Sequence, residues 1–134
     1  MDVVQAMKTV RVVAAIIRKG TTILATQRGH GEYAGWWEFP GGKIEPHESP
    51  EEAVVREIHE ELAASIRVER LVCNVVHDYP TFRLDMDCFL CSLEDEGFTL
   101  LEHQAARWLD LAHLDTVNWL PADLKVVAAL KESW

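Results

Sequence analysis

The sequence predicts a mixed α/β sandwich in which helices cover a sheet. Three observations carry that expectation. Apolar, β-branched runs stand near the start and in the second half of the chain; two segments have recognisable helix first turns; and 134 residues, 49% of them hydrophobic, suffice for a core without disulfides or a structural metal. One domain spanning residues 1–134 is expected.

Residues 9–17 are β-branched and apolar and read as a central strand. Lys19-Gly20 is a turn, and residues 21–27 return as a second strand. Residues 29–35 are a polar, glycine-containing loop; residues 36–39 are short and aromatic; then Pro40-Gly41-Gly42 breaks the chain. The clearest helix follows, over about residues 50–63. Ser49 is its N-cap, Pro50 suits the first helical position, and Glu52 completes a capping box with Ser49. Residues 66–79 and 84–93 read as long strands around a turn near Pro80-Thr81, and residues 105–109 as another. The last helix begins near Pro121 and continues to about residue 131.

Bulk properties narrow the function. No run of 18 apolar residues occurs, so no membrane span is expected. Residues 1–8 lack the basic start, apolar run and cleavage site of an export signal, so a cytoplasmic location is expected. Cys73, Cys88 and Cys91 then read as reduced thiols. Cys88 and Cys91 share a strand-like run at a spacing that sends them to opposite faces, which suits buried structural cysteines rather than a zinc pair. A net charge of −9 disfavours a nucleic acid polymer as partner. It admits a small phosphorylated substrate if a cation stands between phosphates and carboxylates.

The first helix carries Arg56, Glu57, Glu60 and Glu61. Glu57, Glu60 and Glu61 are related by i+3 and i+4 and share one face, where like charges repel by a few tenths of a kcal/mol per pair. Val54, Ile58 and Leu62 form the apolar stripe that anchors the other side, and Ala53 keeps the carboxylate face uncrowded. A solvated acidic face would explain such a helix alone. A rigid row of carboxylates also suits a hard divalent cation, which takes oxygen ligands plus substrate phosphates.

The rest of the stretch decides between them. Gly42 is followed six positions later by Glu48, and Glu48 eight positions later by Arg56-Glu57-Ile58-His59-Glu60-Glu61. This resembles the Nudix box, with every charged position in place. Ala63 stands where the family has a second glycine, which suggests a helix that ends without a left-handed cap or exits at a shifted point. Arg28, the run from Glu38 to Lys43, Glu102 and Pro121-Ala122-Asp123 extend the similarity to the MutT and CTP-pyrophosphohydrolase branch.

The resemblance implies an α/β/α sandwich around a mixed sheet and a nucleotide substrate. It implies Mg²⁺, with Mn²⁺ as an alternative, held by Glu57, Glu60, Glu61 and Glu102 with Gly41. Glu102 would be a ligand or the base that deprotonates water. Arg56 would orient Glu57 and neutralise part of the cluster, and Glu48 would have a supporting or capping role. Gly41 and Gly42 would let the backbone approach closely, and Lys43 and Arg28 would meet substrate. Substitution at phosphorus would yield NMP and pyrophosphate without a covalent nucleophile. By family comparison Phe39, Tyr79 and Asp123 surround the base, the aromatics by stacking and Asp123 as an acceptor when ionised. In the MutT enzyme for oxidised guanine nucleotide the position of Asp123 is an asparagine, so CTP, dCTP or modified forms are expected first and oxidised dGTP second. Asp123 is also a first-turn charge favoured by a helix dipole. The six histidines show no metal spacing and read as surface or core residues.

Two rivals stand beside this reading. Nucleotide-sugar and ADP-ribose branches usually carry extra domains or dimerising N-terminal strands, for which this chain has no room. A non-catalytic Nudix-fold binding module commonly loses box glutamates, and none is lost here. Monomer and homodimer both remain open.

Overall fold

The computed structural model describes residues 7–95 and 97–133. The absence of an export signal concerns residues that lie mostly outside the described ones. Among the described residues, seven strands and two α-helices follow in the order β1 (Lys8–Lys19), β2 (Thr22–Arg28), β3 (Trp37–Glu38), β4 (Gly41–Lys43), α1 (Pro50–Leu62), β5 (Ile66–Asp78), β6 (Phe82–Leu93), β7 (His103–Leu109) and α2 (Pro121–Ser133). A 3₁₀ turn, Leu111–Thr116, precedes α2 and has no counterpart in the sequence-based expectations.

The sheet is mixed, as expected. β1 runs parallel to β6 and antiparallel to β4, while β5 closes on β6 as an antiparallel neighbour. At its far end β1 turns through Gly20, at φ +61°, into β2, and β2 pairs antiparallel with β3 and β7.

β1 is apolar and buried over residues 13–17 because both its faces are covered there. Val13, Ala15 and Ile17 pack with Val54, Ile58 and Leu62 of α1. Ala14 and Ile16 face the other way, in a cluster with Val126, Val127 and Leu130 of α2. Cys88 belongs to the α2-side cluster and Cys91 to the α1-side cluster, both fully buried, as their spacing predicts. No described helix is long and apolar enough to cross a membrane.

Two local expectations are corrected. Pro40-Gly41-Gly42 does not simply break the chain: Gly41 and Gly42 enter β4 opposite Ala14 and Val13. A Cβ at Gly41 would stand 2.8 Å from Ala14 Cα, so only glycine lets the two backbones pair so closely. Ala63 does take the left-handed conformation, at φ 49° and ψ 38°, and its N–H closes on His59 O at 3.0 Å. The exit is held from outside the helix, where Thr99 N–H donates to Leu62 O at 2.7 Å and Leu101 N–H to Glu61 O at 3.1 Å.

Candidate active site

The first turn of α1 is built by its own side chains. Ser49 Oγ accepts from Glu52 N–H at 3.1 Å, and Glu52 Oε1 accepts from Ser49 N–H at 2.9 Å. With the start set and the apolar stripe docked, Glu57 is turned toward β4. A Cβ at Gly42 would lie 2.5 Å from Glu57 Oε2 and 2.7 Å from Oε1. The close approach that these glycines permit is therefore an approach of the protein to itself.

Arg56 binds the motif's acidic groups together. Its Nε and Nη2 donate to the two oxygens of Glu48 at 2.7 and 2.9 Å, and Nη2 also reaches Lys43 O at 2.9 Å. Nη1 serves Glu57 at 2.9 Å and Glu60 at 3.1 Å. The paired guanidinium holds Glu48 down at about 2 and is itself pushed up.

Glu61 is different. It is only 9% exposed, Oε2 is buried with no hydrogen-bond partner among the described residues, and a Gly41 backbone hydrogen bond reaches the carboxylate. Burial, then the charges of Glu57, Glu38 and Glu102, push its pKa up to about 9. Glu57 is raised too, first by burial and, among its neighbouring carboxylates, by Glu60 and Glu102. The sequence suggests mutual repulsion as the main cost of this cluster; the structure makes desolvation larger. Glu57 lies within the fields of Glu60 and Glu102, and Glu61 within those of Glu57 and Glu102, yet among the described residues no three His, Cys, Asp or Glu side chains close on one ion. Their chemistry still fits a hard divalent cation: oxygen donors only, one of them buried without a partner.

Two cavities adjoin, both lined by Arg28 and Glu38. One contains Phe39, Tyr79, Asp123 and the β4 glycines; the other contains Glu61, Glu102 and His103. The Phe39 ring stacks on Trp119 at 4.6 Å, and the Tyr79 ring on Phe82 at 5.1 Å. Asp123 is 5% exposed and its Oδ1 accepts from Phe39 N–H at 3.0 Å. Burial foremost pushes its pKa up to about 8. When protonated, this carboxyl carries a donor as well as an acceptor. Lys43 is exposed and lines neither cavity, and Glu60 stays half-exposed beside Arg56.

Sequence reasoning missed one member of the site. The sequence reads His103 only as a surface or core residue; its ring is buried against Glu38, with Nε2 3.0 Å from Oε2. Its place beside Glu102 was the only available signal.

A carboxylate helix locked to a glycine strand, opening on a cleft with an aromatic end and an acidic end, defines a hydrolase for small phosphorylated substrates. Residues 7–130 match the NUDIX domain model, and the chain belongs to the Nudix hydrolase family, enzymes of phosphoanhydride bonds that generally use divalent metal ions. It is 36% identical over 126 residues to the CTP pyrophosphohydrolase of Escherichia coli K12, covering 92% of each chain. It is 32% identical over 127 residues to the 8-oxo-dGTP diphosphatase of the same organism, covering 93% of this chain and 98% of that one. Its fold superimposes on a MutT NUDIX hydrolase from Burkholderia pseudomallei with a TM-score of 0.79 at 28% identity, covering 95% of this chain and 99% of that one.

Proposed function

We propose that this enzyme is a magnesium-dependent pyrophosphohydrolase of nucleoside triphosphates, converting NTP or dNTP and water to NMP or dNMP and pyrophosphate, with CTP, dCTP or a modified pyrimidine nucleotide as substrate. The observation that carries the base choice is Asp123, a buried carboxyl that lines the aromatic cavity with Phe39 and Tyr79 and that burial shifts toward its protonated form. A neutral carboxyl offers one acceptor and one donor. Those complement the amino group and ring nitrogen of cytosine. The amino and imino hydrogens of guanine ask for two acceptors, hence an ionised carboxylate. The 36% identity to a CTP pyrophosphohydrolase supports the same choice.

Glu57, Glu60, Glu61 and Glu102, with the Gly41 carbonyl, would hold magnesium, or manganese in its place. A bound ion there supplies Lewis-acid polarisation of phosphoryl oxygens and lowers the pKa of water. Glu102, on the loop before β7, takes the proton from the attacking water. Arg56 offsets the charge of Glu57 and Glu60 and keeps both aimed. Arg28, at the junction of the two cavities, meets the phosphates. Water adds at phosphorus, one phosphoanhydride P–O bond breaks, and pyrophosphate leaves.

The test is a panel of NTPs, dNTPs, oxidised dGTP, ADP-ribose and nucleotide sugars, scored by kcat/KM with magnesium. CTP or dCTP should lead, and Glu57→Gln should lower the rate by at least about a hundredfold. A panel led by oxidised dGTP would reassign the base; no turnover of any nucleotide would favour a binding module.

A further inference from the structure

The Glu38 carboxylate is gripped from both sides. Oε2 lies 3.0 Å from His103 Nε2, and Oε1 lies 3.3 Å from Arg28 Nε. The imidazole is 4% exposed, and its Nδ1 is buried without a hydrogen-bond partner among the described residues.

That asymmetry sets the ring's proton. On Nε2 the proton is donated to Glu38, and Nδ1 keeps a bare lone pair. On Nδ1 it would bury an N–H with no acceptor and turn a nitrogen lone pair against a carboxylate oxygen, the costlier arrangement. His103 is thus a donor to Glu38. Its backbone converges on the same place: His103 is the β7 partner of Arg28, next to the register shift between Gln27 and Arg28. Arg28 needs such support. Its side chain is 43% exposed, and a long side chain at a cavity edge otherwise spreads over many rotamers.

We propose that His103 is a positioning residue for the hydrolysis: by donating to Glu38 it holds that carboxylate against Arg28, and so aims the guanidinium at the junction of the two cavities. The assignment rests on the reading above that Arg28 meets the substrate phosphates there.

Four variants test it. His103→Leu fills the space without a donor, His103→Gln returns an N–H near the position of Nε2, Glu38→Gln weakens both grips, and Arg28→Ala removes the group being aimed. Thermal melts establish that each is folded, and kcat and KM are measured with CTP and magnesium. His103→Leu should lose about tenfold in kcat/KM, mostly through KM, on the scale of one charge-assisted hydrogen bond. Glu38→Gln should lose a similar amount, and serves alone if His103→Leu does not fold. His103→Gln should stay within about threefold of wild type. In an Arg28→Ala background, His103→Leu should change kcat/KM by less than about twofold, because the two act as one unit. A loss undiminished in that background, or glutamine no better than leucine, overturns the proposal. Full activity of Arg28→Ala would overturn the phosphate reading and this assignment together. A loss in Arg28→Ala with none in His103→Leu or Glu38→Gln would overturn this assignment alone.

Discussion

Gly42 and Glu57 compete for one space. A Cβ on Gly42 would stand 2.5 Å from Glu57 Oε2, and the carboxylate is already committed on its other oxygen to Arg56 at 2.9 Å. The alternative to a glycine is a displaced glutamate. Gly42→Ala should therefore cost about a hundredfold in kcat, the scale of a 1 Å misplacement, while the protein stays folded. Pyrophosphate release and a thermal melt check both halves. A folded alanine variant with wild-type kcat would mean that Glu57 need not stand where Gly42 lets it.

Glu61 brings to the acidic cavity a buried oxygen with no partner among the described residues. Adding magnesium should raise the Tm of the wild type by several degrees, and EDTA should reverse the rise, because a ligand that binds only the folded state stabilises it. In Glu61→Gln the rise should fall to less than half. Equal shifts in the two proteins would remove Glu61 from the ligand set.

Asp123 makes stability depend on pH in a definite direction. Its folded pKa, about 8, lies above the ordinary carboxylate value of 3.8. A raised carboxyl contributes stability that is fully present below the unfolded value and is lost as pH rises through the folded one. Between about pH 4 and pH 8 the wild type should lose stability relative to Asp123→Asn, measured by urea unfolding at each pH.

The same ionisation changes what the base meets. Above about pH 8 Asp123 offers two acceptors in place of a donor and an acceptor. The ratio of kcat/KM for CTP to that for oxidised dGTP should fall as pH passes that value, and Asp123→Asn should abolish the change. A ratio that is flat with pH in the wild type would take Asp123 out of base recognition.

Ala63 holds a left-handed conformation that costs an alanine roughly 1–2 kcal/mol. Ala63→Gly relieves that strain and gives back part of it as unfolded-state entropy, for a net gain of about 0.5–1 kcal/mol and about 2–5 °C in Tm. Differential scanning calorimetry measures it. A fall in Tm would mean that the methyl group contributes packing that its backbone angle conceals.

Legibility followed distance along the chain. The start of α1 was readable because Ser49, Pro50 and Glu52 act on one another within a single turn. Glu57, Glu60 and Glu61 were readable as a set because helical spacing alone puts them on a face. β4 was not: Gly41 and Gly42 look like a breaker locally and become a strand only opposite Ala14 and Val13. Glu102 and Asp123 were reached through resemblance, since neither belongs to a local pattern.

By itself the sequence determined the helices-on-sheet layering and the carboxylate helix, through periodicity and capping, and its fixed spacing carried the resemblance that implied the mixed sheet and the reaction class. Only the tertiary structure decided the state of each group. It buried Asp123 and Glu61, raising both carboxyls, and made His103 a partner of Glu38 across a separation of 65 residues. The reason is that protonation and hydrogen bonding depend on which distant surfaces exclude water from a group, and no local pattern records that.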